Sequence, residues 1–313
     1  MAFIKQEIEI NRNTGKPEYD LELTEQVIAA TGPDAHPRLA EILPSLVRHL
    51  HGFARDVNLT VAEWMAGIEL INEAGRMSND RRDETGLLCD ILGLESLVDE
   101  ITSKLLLNSN ITESESGEAI TPSAILGPFY RANAPILPND SSILRTEPGS
   151  DWYKQAEHLL AHLSGHVTSA TTGKPLRDAM VDIWLAGPNG LYEQQDPSAP
   201  DMNLRGRFLT DANGRYALYC IRPTAYPVPG DGPAGRLLKL LDRHPYRPAH
   251  IHFIVSKTGY RTLTTQVFDV EDKRVADDVA FAVKKELMVK FKKREGDDRA
   301  LWDLEYDFTL SEA

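Results

Sequence analysis

Short β-prone runs separated by turn sequences fill most of the chain beyond residue 160, and they constrain the fold more than any other feature. Helical spacing is missing between these runs, which are rich in branched and aromatic residues. Three pairs of strands are predicted, each pair separated by a turn. The first pair is 164–170 and 179–186 with the turn 172–175, and the second is 207–210 and 215–220 with the turn 211–214. The third is 250–256 and 260–268 with the turn 257–259. The turn 211–214, with the sequence Asp-Ala-Asn-Gly, predicts a hairpin. The whole pattern predicts an antiparallel sandwich, because a parallel sheet needs crossover helices.

Residues 37–107 show the opposite pattern, with apolar residues at intervals of three and four that are typical of amphipathic helices. Such positions in the first predicted helix are Leu39, Ile42, Leu43, Leu46, Val47, Leu50 and Phe53. The capping box Thr60-Val61-Ala62-Glu63 predicts the start of a second helix, which we expect to end near Ala74 with Gly75 as its terminator. A third helix is predicted over 94–107.

Together these patterns predict an α+β protein of two domains, a helical domain over residues 1–122 and an antiparallel β-sandwich over residues 123–313. The segment 108–118 is polar and shows no periodicity, so we expect an exposed linker there. A C-terminal helix is predicted over 277–292 from the spacing of four apolar residues, Val279, Phe281, Val283 and Leu287.

Charge and composition exclude several classes of protein. The net charge is −13 at pH 7, so a nucleic-acid backbone or an anionic membrane would repel the chain. A membrane-spanning helix is not expected, because no run of roughly 18 apolar residues occurs. Residues 1–7 meet charged side chains before an apolar core develops, so we expect no signal peptide. Cys89 and Cys220 stand in apolar contexts, which favours buried thiols in a reducing cytoplasm over a disulfide.

The most informative local pattern is His250-Ile251-His252 inside the predicted strand 250–256. Side chains two residues apart on a strand project from the same face, so both imidazoles can reach one metal ion. Pro248 supports the strand, because proline pushes the residues before it towards extended geometry. Taken alone, the pattern favours the simpler interpretation, a pair of histidines on a half-solvated strand face.

Two tyrosines upstream make a metal site the better interpretation. Tyr192 follows the turn Pro188-Asn189-Gly190, and Tyr226 lies in a proline-rich segment. Two neutral imidazoles and two phenolates suit a hard trivalent ion such as Fe(III) better than Zn(II). With their neighbours, these residues resemble the signatures of the intradiol ring-cleavage dioxygenases: Gly190-Leu191-Tyr192, Pro223-Thr224-Ala225-Tyr226 and Arg247-Pro248-Ala249-His250-Ile251-His252.

The resemblance, which runs from about residue 39 to about residue 287, implies a helical linker and dimerisation domain joined to a catalytic β-sandwich. It implies one Fe(III) per chain, with Tyr192 and His252 as equatorial ligands and Tyr226 and His250 as axial ligands. Members of the family form homodimers through the helical part, and some hold a lipid in an apolar tunnel there.

Three residues receive catalytic roles from the same resemblance. Tyr226 would leave the metal when the substrate binds and would then act as a base. Arg247 precedes His250 by three residues, and its guanidinium would stabilise negative charge on the substrate ring. Gln266 matches the active-site glutamine of the family.

The resemblance also implies a substrate pocket, and its candidate residues are Leu87, Asp90, Ile125, Gly127, Pro128, Phe129, Val228, Pro229 and Val279. Catechol-selective relatives typically carry proline where Asp90 stands, and they tend to carry phenylalanine where Val279 stands. An acidic side chain with extra space suits a third ring hydroxyl. Hydroxyquinol (1,2,4-trihydroxybenzene) is therefore the expected substrate, cleaved with O2 to 3-hydroxy-cis,cis-muconate or maleylacetate.

Three alternatives remain open. A catechol 1,2-dioxygenase, which gives cis,cis-muconate, would differ only in its pocket. A transthyretin-like binding module would use the tyrosines and histidines structurally, and it would lack visible absorption. A cupin-like Fe(II) or Zn(II) enzyme also uses His-x-His, but it needs a later histidine ligand, and the chain has no histidine after His252.

Overall fold

The computed structural model describes residues 18–108 and 119–313. The predicted linker 108–118 therefore lies, apart from its first residue, outside the described residues. Within the chain two compact units can be separated, Met1–Glu73 and Ala74–Ala313. Helices build the first unit, whereas the second is dominated by β-sheets.

Three helices begin in the described part of the first unit, residues 18–73: α1 (Glu22–Ala29), α2 (Pro37–Asp56) and α3 (Val61–Met77). Thr24 joins α1 to α2, because its hydroxyl lies 3.0 Å from His51 Nδ1 and accepts a hydrogen bond of 2.7 Å from Arg55. The position of α2 agrees with the apolar spacing of the sequence, and α1 was not predicted.

The predicted capping box opens α3. Glu63 N donates to Thr60 Oγ1 at 3.2 Å, and Thr60 N donates to Glu63 Oε2 at 2.9 Å, so this prediction is confirmed. The helix continues past Gly75 to Met77. Gly75 does not take the left-handed conformation of a helix terminator, so the predicted helix end is wrong by about one turn.

Apolar side chains of α2 and α3 remain exposed in the described chain. The exposed fraction is 60% for Leu39, 55% for Phe53 and 51% for Trp64. The same helices also expose Ile42, Leu43, Leu46, Leu50, Met65, Ile68 and Ile71. Many exposed apolar side chains on neighbouring helices are typical of surfaces that bind another protein or a lipid.

Two further helices, α4 (Glu84–Ile91) and α5 (Leu94–Asn108), belong to the second unit. Ser96 of α5 donates to Ala280 O at 2.8 Å, and Lys284 donates to Asp99 Oδ2 of the same helix at 2.6 Å. These bonds tie α5 to the residues of the sandwich. The second unit therefore begins well before the predicted boundary between residues 122 and 123.

Two sheets form the β-sandwich of the second unit. The first has the order β1 (Ser141–Ser142), β5 (Arg215–Ile221), β2 (Leu160–Ser169), β12 (Trp302–Glu305) and β11 (Lys292–Lys293), and β13 (Phe308–Leu310) also pairs with β2. The second has the order β10 (Met288–Val289), β9 (Leu263–Asp269), β8 (His250–Ser256), β3 (Met180–Trp184) and β4 (Arg205–Leu209). The unit also contains a ribbon of β6 (Tyr226–Pro227) and β7 (Tyr246–Arg247), and the short helices α6 (Asp151–Ala156) and α7 (Pro233–Leu240).

The central pairings of both sheets are antiparallel. β2 pairs in this way with β5, and β8 pairs in this way with both β3 and β9. Parallel pairs occur where β1, β10, β12 and β13 join their sheets. Both sheets contribute to the buried core, which includes Leu163, Ile183, Phe208, Leu218 and Phe253. The predicted class, α+β with a helical part and a mainly antiparallel sandwich, is confirmed.

The hairpin predicted at 211–214 is wrong. The turn itself forms, with Gly214 N donating to Asp211 O at 3.0 Å. However, β4 before the turn pairs with β3, and β5 after it pairs with β2, so the two strands belong to different sheets. The turn is held by β2, because Val167 N donates to Gly214 O at 2.9 Å, and this bond directs the chain into the other sheet.

The C-terminal helix predicted over 277–292 is also wrong. The 3-10 turn Lys273–Ala276 ends just before this segment, and a second 3-10 turn, Lys285–Leu287, lies inside it. Asp278 organises the loop between them by accepting hydrogen bonds of 3.1 Å from Ala280 N and from Ala282 N. Phe281 has a φ of +56°, which a right-handed helix does not allow. The apolar spacing thus reflects burial from an irregular loop.

In the two described ranges, no helix has both the length and the apolar character needed to cross a membrane. Both cysteines are free thiols, as predicted, although Cys89 is only half-buried. Burial raises the pKa of the Cys220 thiol to about 12, so this side chain stays protonated and unreactive.

Candidate active site

Four buried side chains that the sequence predicts as metal ligands meet in the second unit. His250 and His252 stand on β8, Tyr226 lies on β6, and Tyr192 lies in the loop after β3. The two histidine Nε2 atoms are 3.0 Å apart. Tyr192 Oη lies 2.9 Å from His252 Nε2 and 2.9 Å from Tyr226 Oη. None of the four residues is more than 4% exposed, so their donor atoms share one small buried volume.

Close packing fixes the rings of this cluster. Trp184 stacks on His252, with ring centroids 4.8 Å apart and planes at 9°. Gly190 has a φ of +77°, and a Cβ at this position would lie only 2.8 Å from Tyr226 Cβ. Only glycine therefore fits beside Tyr226, which explains the Gly190-Leu191-Tyr192 pattern in physical terms.

Hydrogen bonding and burial prepare the histidines to bind a metal. His250 Nδ1 lies 2.7 Å from the Pro248 carbonyl oxygen, which can only accept, so Nδ1 carries the proton and Nε2 offers its lone pair. Burial and then the Arg247 charge lower the pKa of His250 to about 3. Burial and then the neighbouring His250 lower the pKa of His252 well below its usual value. Both imidazoles are therefore neutral at physiological pH.

The two tyrosines need a cation to become phenolates. Burial raises the pKa of Tyr192 well above its ordinary value, and it also raises the pKa of Tyr226. The Arg247 guanidinium opposes both shifts without overcoming them. A multivalent ion at the donor atoms would reverse this balance, because its charge would stabilise the deprotonated ligand.

The donor atoms fit a small, hard metal ion. Ligands at right angles about a metal, with bonds of about 2.1 Å, stand about 3.0 Å apart. The measured separations of 2.9 and 3.0 Å agree with this spacing. Two oxygen donors and two neutral nitrogen donors suit Fe(III) by hardness. Over residues 18–108 and 119–313, no group of three or more His, Cys, Asp and Glu side chains offers another metal site.

Arg247 borders the cluster and is held from several sides. Its Nη1 lies 3.1 Å from His250 Nε2, a contact that uses the lone pair a metal would take. Its Nη2 donates to Gln266 Oε1 at 2.9 Å, and its Nε donates to Asp278 Oδ1 at 3.2 Å. Burial alone would lower the pKa of Arg247, but the charge of Asp278 raises it above its usual value. Arg247 is thus a permanent buried cation next to the donors.

Gln266 connects Arg247 to the predicted pocket segment. It lies on β9 directly opposite His252, and its Nε2 donates to Ile125 O at 2.7 Å. The amide therefore bridges the guanidinium on one side and the backbone of residues 125–129 on the other. This position agrees with the role that the resemblance implies for Gln266, which stays a prediction.

Sequence reasoning missed Asp278 and Trp184 as residues of the site. Asp278 is the buried carboxylate partner of Arg247, 31 positions further along the chain. No local motif connects the two, and the only signal is that a buried arginine needs an anion. Trp184 lies within the predicted strand 179–186. The strand pattern predicts on which face of the sheet its side chain lies, but it does not predict that the ring stacks on His252.

A cavity of about 360 Å³ adjoins the metal-ligand cluster. Three of the predicted substrate residues line it, namely Asp90, Gly127 and Pro128. Gly127 lies between the cavity and the cluster, because a Cβ there would lie 3.1 Å from His252 Cε1. Its φ of +77° gives a second reason for glycine at this position.

Asp90 is a buried carboxyl in the lining of this cavity, which also includes Asp83 and Glu95. It is 2% exposed, and its Oδ1 has no hydrogen-bond partner among the described residues. Burial and then the neighbouring Glu95 carboxyl raise the pKa of Asp90 to about 9. Because Asp90 shares a hydrogen bond with Glu95, its unpartnered Oδ1 is left to accept a hydrogen bond from a ligand hydroxyl.

The other predicted pocket residues lie at different distances from the cluster. The Phe129 ring packs 5.0 Å from the Tyr192 ring, and Ile125 holds Gln266 as described above. Val279 lines a separate cavity of about 480 Å³, so its influence on the Asp90 cavity stays a prediction. Among the remaining three, Leu87 and Val228 are buried and Pro229 is half-buried.

Comparison with known proteins places this geometry in a family. Residues 36–106 match the family described as Catechol dioxygenase N terminus, and residues 125–312 match the family described as Dioxygenase. A catechol 1,2-dioxygenase of Candida albicans is 44% identical over 294 residues, which cover 92% of this chain and 91% of the relative. A hydroxyquinol 1,2-dioxygenase of a Rhizobium species is 36% identical over 312 residues, which cover 96% of this chain and 99% of the relative.

A solved structure agrees with the sequence relatives. The hydroxyquinol 1,2-dioxygenase of Pseudomonas putida superimposes with a TM-score of 0.76 at 31% identity, covering 93% of this chain and 98% of that one. The likeness extends over both the helical part and the sandwich. The chain therefore belongs to the intradiol ring-cleavage dioxygenase family.

Proposed function

We propose that the protein is an Fe(III) dioxygenase that opens the ring of an ortho-diphenol with O2. The observation that carries the proposal is the convergence of two tyrosines and two histidines on one buried volume, beside the cation of Arg247. One Fe(III) per chain would be held by Tyr192, Tyr226, His250 and His252. When bound, the ion would take up both oxygens of the diphenolate and make the ring reactive towards O2.

Residues of the chain would manage the protons and the developing charge. A diphenol gives up both hydroxyl protons when it binds as a dianion. Tyr226 would take one of them on its Oη, which lies in the cluster, and the other would pass to hydroxide from the solvent. Arg247 would stabilise the negative charge that builds up on the ring, since its guanidinium is buried and pre-oriented.

The overall reaction inserts both atoms of O2 while the bond between the two hydroxyl-bearing carbons breaks. Hydroxyquinol then gives 3-hydroxy-cis,cis-muconate, which is the enol form of maleylacetate. Catechol gives cis,cis-muconate. In either case the protein would act in the catabolism of aromatic compounds.

For the substrate we propose hydroxyquinol. The support is Asp90, a buried carboxyl whose Oδ1 has no hydrogen-bond partner among the described residues. Gly127 lines the Asp90 cavity and also stands against His252, so a ring held by the cluster on this side would direct a third hydroxyl towards this carboxyl. The relative from Rhizobium carries the name hydroxyquinol 1,2-dioxygenase.

Catechol is the second candidate, and a specific observation favours it. The Candida albicans relative, named catechol 1,2-dioxygenase, has the higher identity, 44% against 36%. A catechol would leave the Asp90 carboxyl without a substrate partner. The two candidates therefore differ in what they predict for Asp90.

The substrate prediction is that kcat/KM for hydroxyquinol exceeds that for catechol by roughly tenfold to a hundredfold, because a polar group left unpaired costs binding energy. Asp90→Leu should move the ratio towards catechol, whereas Asp90→Asn, which keeps a hydrogen-bonding group, should move it less. Val279→Phe tests the space argument separately. A wild type that prefers catechol, or a ratio that Asp90→Leu leaves unchanged, would contradict the pocket assignment.

A visible spectrum tests the iron assignment. We expect the purified protein to be red to burgundy from phenolate-to-Fe(III) charge transfer, with one iron per chain by metal analysis and a band that changes on titration with catechol. A non-catalytic binding module would show no such band, and a cupin-like zinc enzyme would be colourless with stoichiometric zinc. Either result would overturn the proposed function.

We further infer a homodimer through the helical part. The support is the exposed apolar set on α2 and α3, which includes Leu39, Phe53 and Trp64. A lipid bound in the same region is part of this proposal. Light scattering at several protein concentrations measures the mass, and a monomer at all of them would contradict the dimer.

A further inference from the structure

Arg205 is a fully buried arginine that the steps above do not use. It stands on β4, is 1% exposed, and has its Cζ over the ring of Tyr192 at 5.8 Å from the ring centroid. A guanidinium within about 6 Å of an aromatic face is attracted to the ring. The attraction grows when the ring belongs to a phenolate, because the charge is then a full negative one. Arg205 therefore holds a positive charge against the face of the Tyr192 ring.

Three hydrogen bonds hold this guanidinium in place. Its Nε donates to Glu193 Oε2 at 2.6 Å, and its Nη2 donates to Phe129 O at 2.8 Å and to Gln194 Oε1 at 2.5 Å. Arg205 thus binds the two residues that follow Tyr192 and also the residue whose ring packs against Tyr192. An arginine fixed at three points keeps both the ring and the charge in one arrangement.

The carboxylate of Glu193 is shared between two arginines. Glu193 pairs with Arg131 as well as with Arg205, so one buried anion serves two cations. The second partner of Arg131 is Asp201, whose side chain is 76% exposed and is therefore screened by solvent. The fully buried members of this network are Arg205 and Glu193, and Glu193 gives Arg205 only one of its two carboxylate oxygens, while the Arg205 guanidinium also faces the Tyr192 ring.

We propose that Arg205 is a positioning residue for the Tyr192 phenolate, which orients the ring and supplies the positive charge behind it. The proposal rests on the proposed function, in which Tyr192 is a ligand of Fe(III). Because Arg205 also holds Phe129 O, it joins this ligand to the segment 125–129 that borders the substrate cavity.

The experiment compares the visible band of the iron-loaded wild type with those of Arg205→Gln and Arg205→Lys. In Arg205→Gln we expect the band at longer wavelength with unchanged intensity per iron, because the phenolate electrons lose a stabilising charge. Iron binding, measured by competition with a chelator, should weaken about 10–100-fold, as is typical for residues that support a metal ligand. Arg205→Lys keeps the charge and should keep the band position.

Arg207→Gln is the matched control, because Arg207 lies two residues further along β4 and donates to Ala134 O. Its band should not move. The band position is read only from iron-bound molecules, so a partly unfolded preparation still gives the answer. An unmoved band in Arg205→Gln, or an equal shift in Arg205→Lys, would overturn the inference and leave the iron assignment intact. A wild type without the band would overturn the proposed function itself.

Discussion

Tyr226→Phe is expected to remove nearly all turnover while leaving the fold intact. The Tyr226 ring is 4% exposed and packs 5.5 Å from the His250 ring, and phenylalanine preserves this packing. The substitution deletes the Oη, which lies 2.9 Å from Tyr192 Oη and which we propose as both metal ligand and base. Loss of a group used in this way typically lowers kcat by ~10²–10⁴-fold. Steady-state kinetics, expressed per bound iron, measures the effect.

Tyr216→Phe provides the matched control. Tyr216 is fully buried in the sandwich, and its hydroxyl donates to Tyr306 O at 2.7 Å, away from the metal-ligand cluster. Tyr216→Phe deletes a hydroxyl oxygen from a buried ring, as Tyr226→Phe does, so the two variants should lose a comparable amount of stability. The kcat per iron of Tyr216→Phe should nevertheless stay at the wild-type value. Undiminished turnover in iron-loaded Tyr226→Phe would show that the base lies elsewhere.

Patterns within a few residues predicted the parts of this protein whose geometry is local. The capping box at Thr60 and Glu63 sets the start of α3, because its two hydrogen bonds join residues three apart. The placement of His250 and His252 follows from the period of a strand, which puts both rings on one face. Neither argument needs to know what packs against the segment.

The errors arose where a distant contact decides the structure. The loop after Lys273–Ala276 has helical spacing, but Asp278 binds two backbone N–H groups there while it also pairs with Arg247. That ion pair joins residues 31 positions apart, and no spacing rule announces it. The turn 211–214 has hairpin composition, yet a bond to Val167 of β2 sends its strands to different sheets. The support of Tyr192 by Arg205 is hidden for the same reason.

Substitution of Arg247 should have the second large effect on activity. Arg247 has two roles, one as a cation beside the substrate ring and one as the ion-pair partner of Asp278. We expect Arg247→Met to lower kcat per iron by ~10²–10³-fold, because a pre-oriented cation is lost from the ring. The same change leaves the buried carboxylate of Asp278 without its partner, which should lower the free energy of unfolding by about 3–5 kcal/mol. Kinetics and denaturant titration measure the two losses independently.

The double variant Arg247→Met/Asp278→Asn decides whether the activity loss is electrostatic. Removing both charges leaves no unpaired ion, so most of the stability should return, since buried ion pairs can be replaced by neutral groups at little cost. Turnover should stay low, because the cation is still absent. If activity returned together with stability, Arg247 would act only by holding Asp278 and its loop. If Arg247→Met were as stable as the wild type, the Asp278 carboxylate could not be the charged partner that the 3.2 Å contact implies.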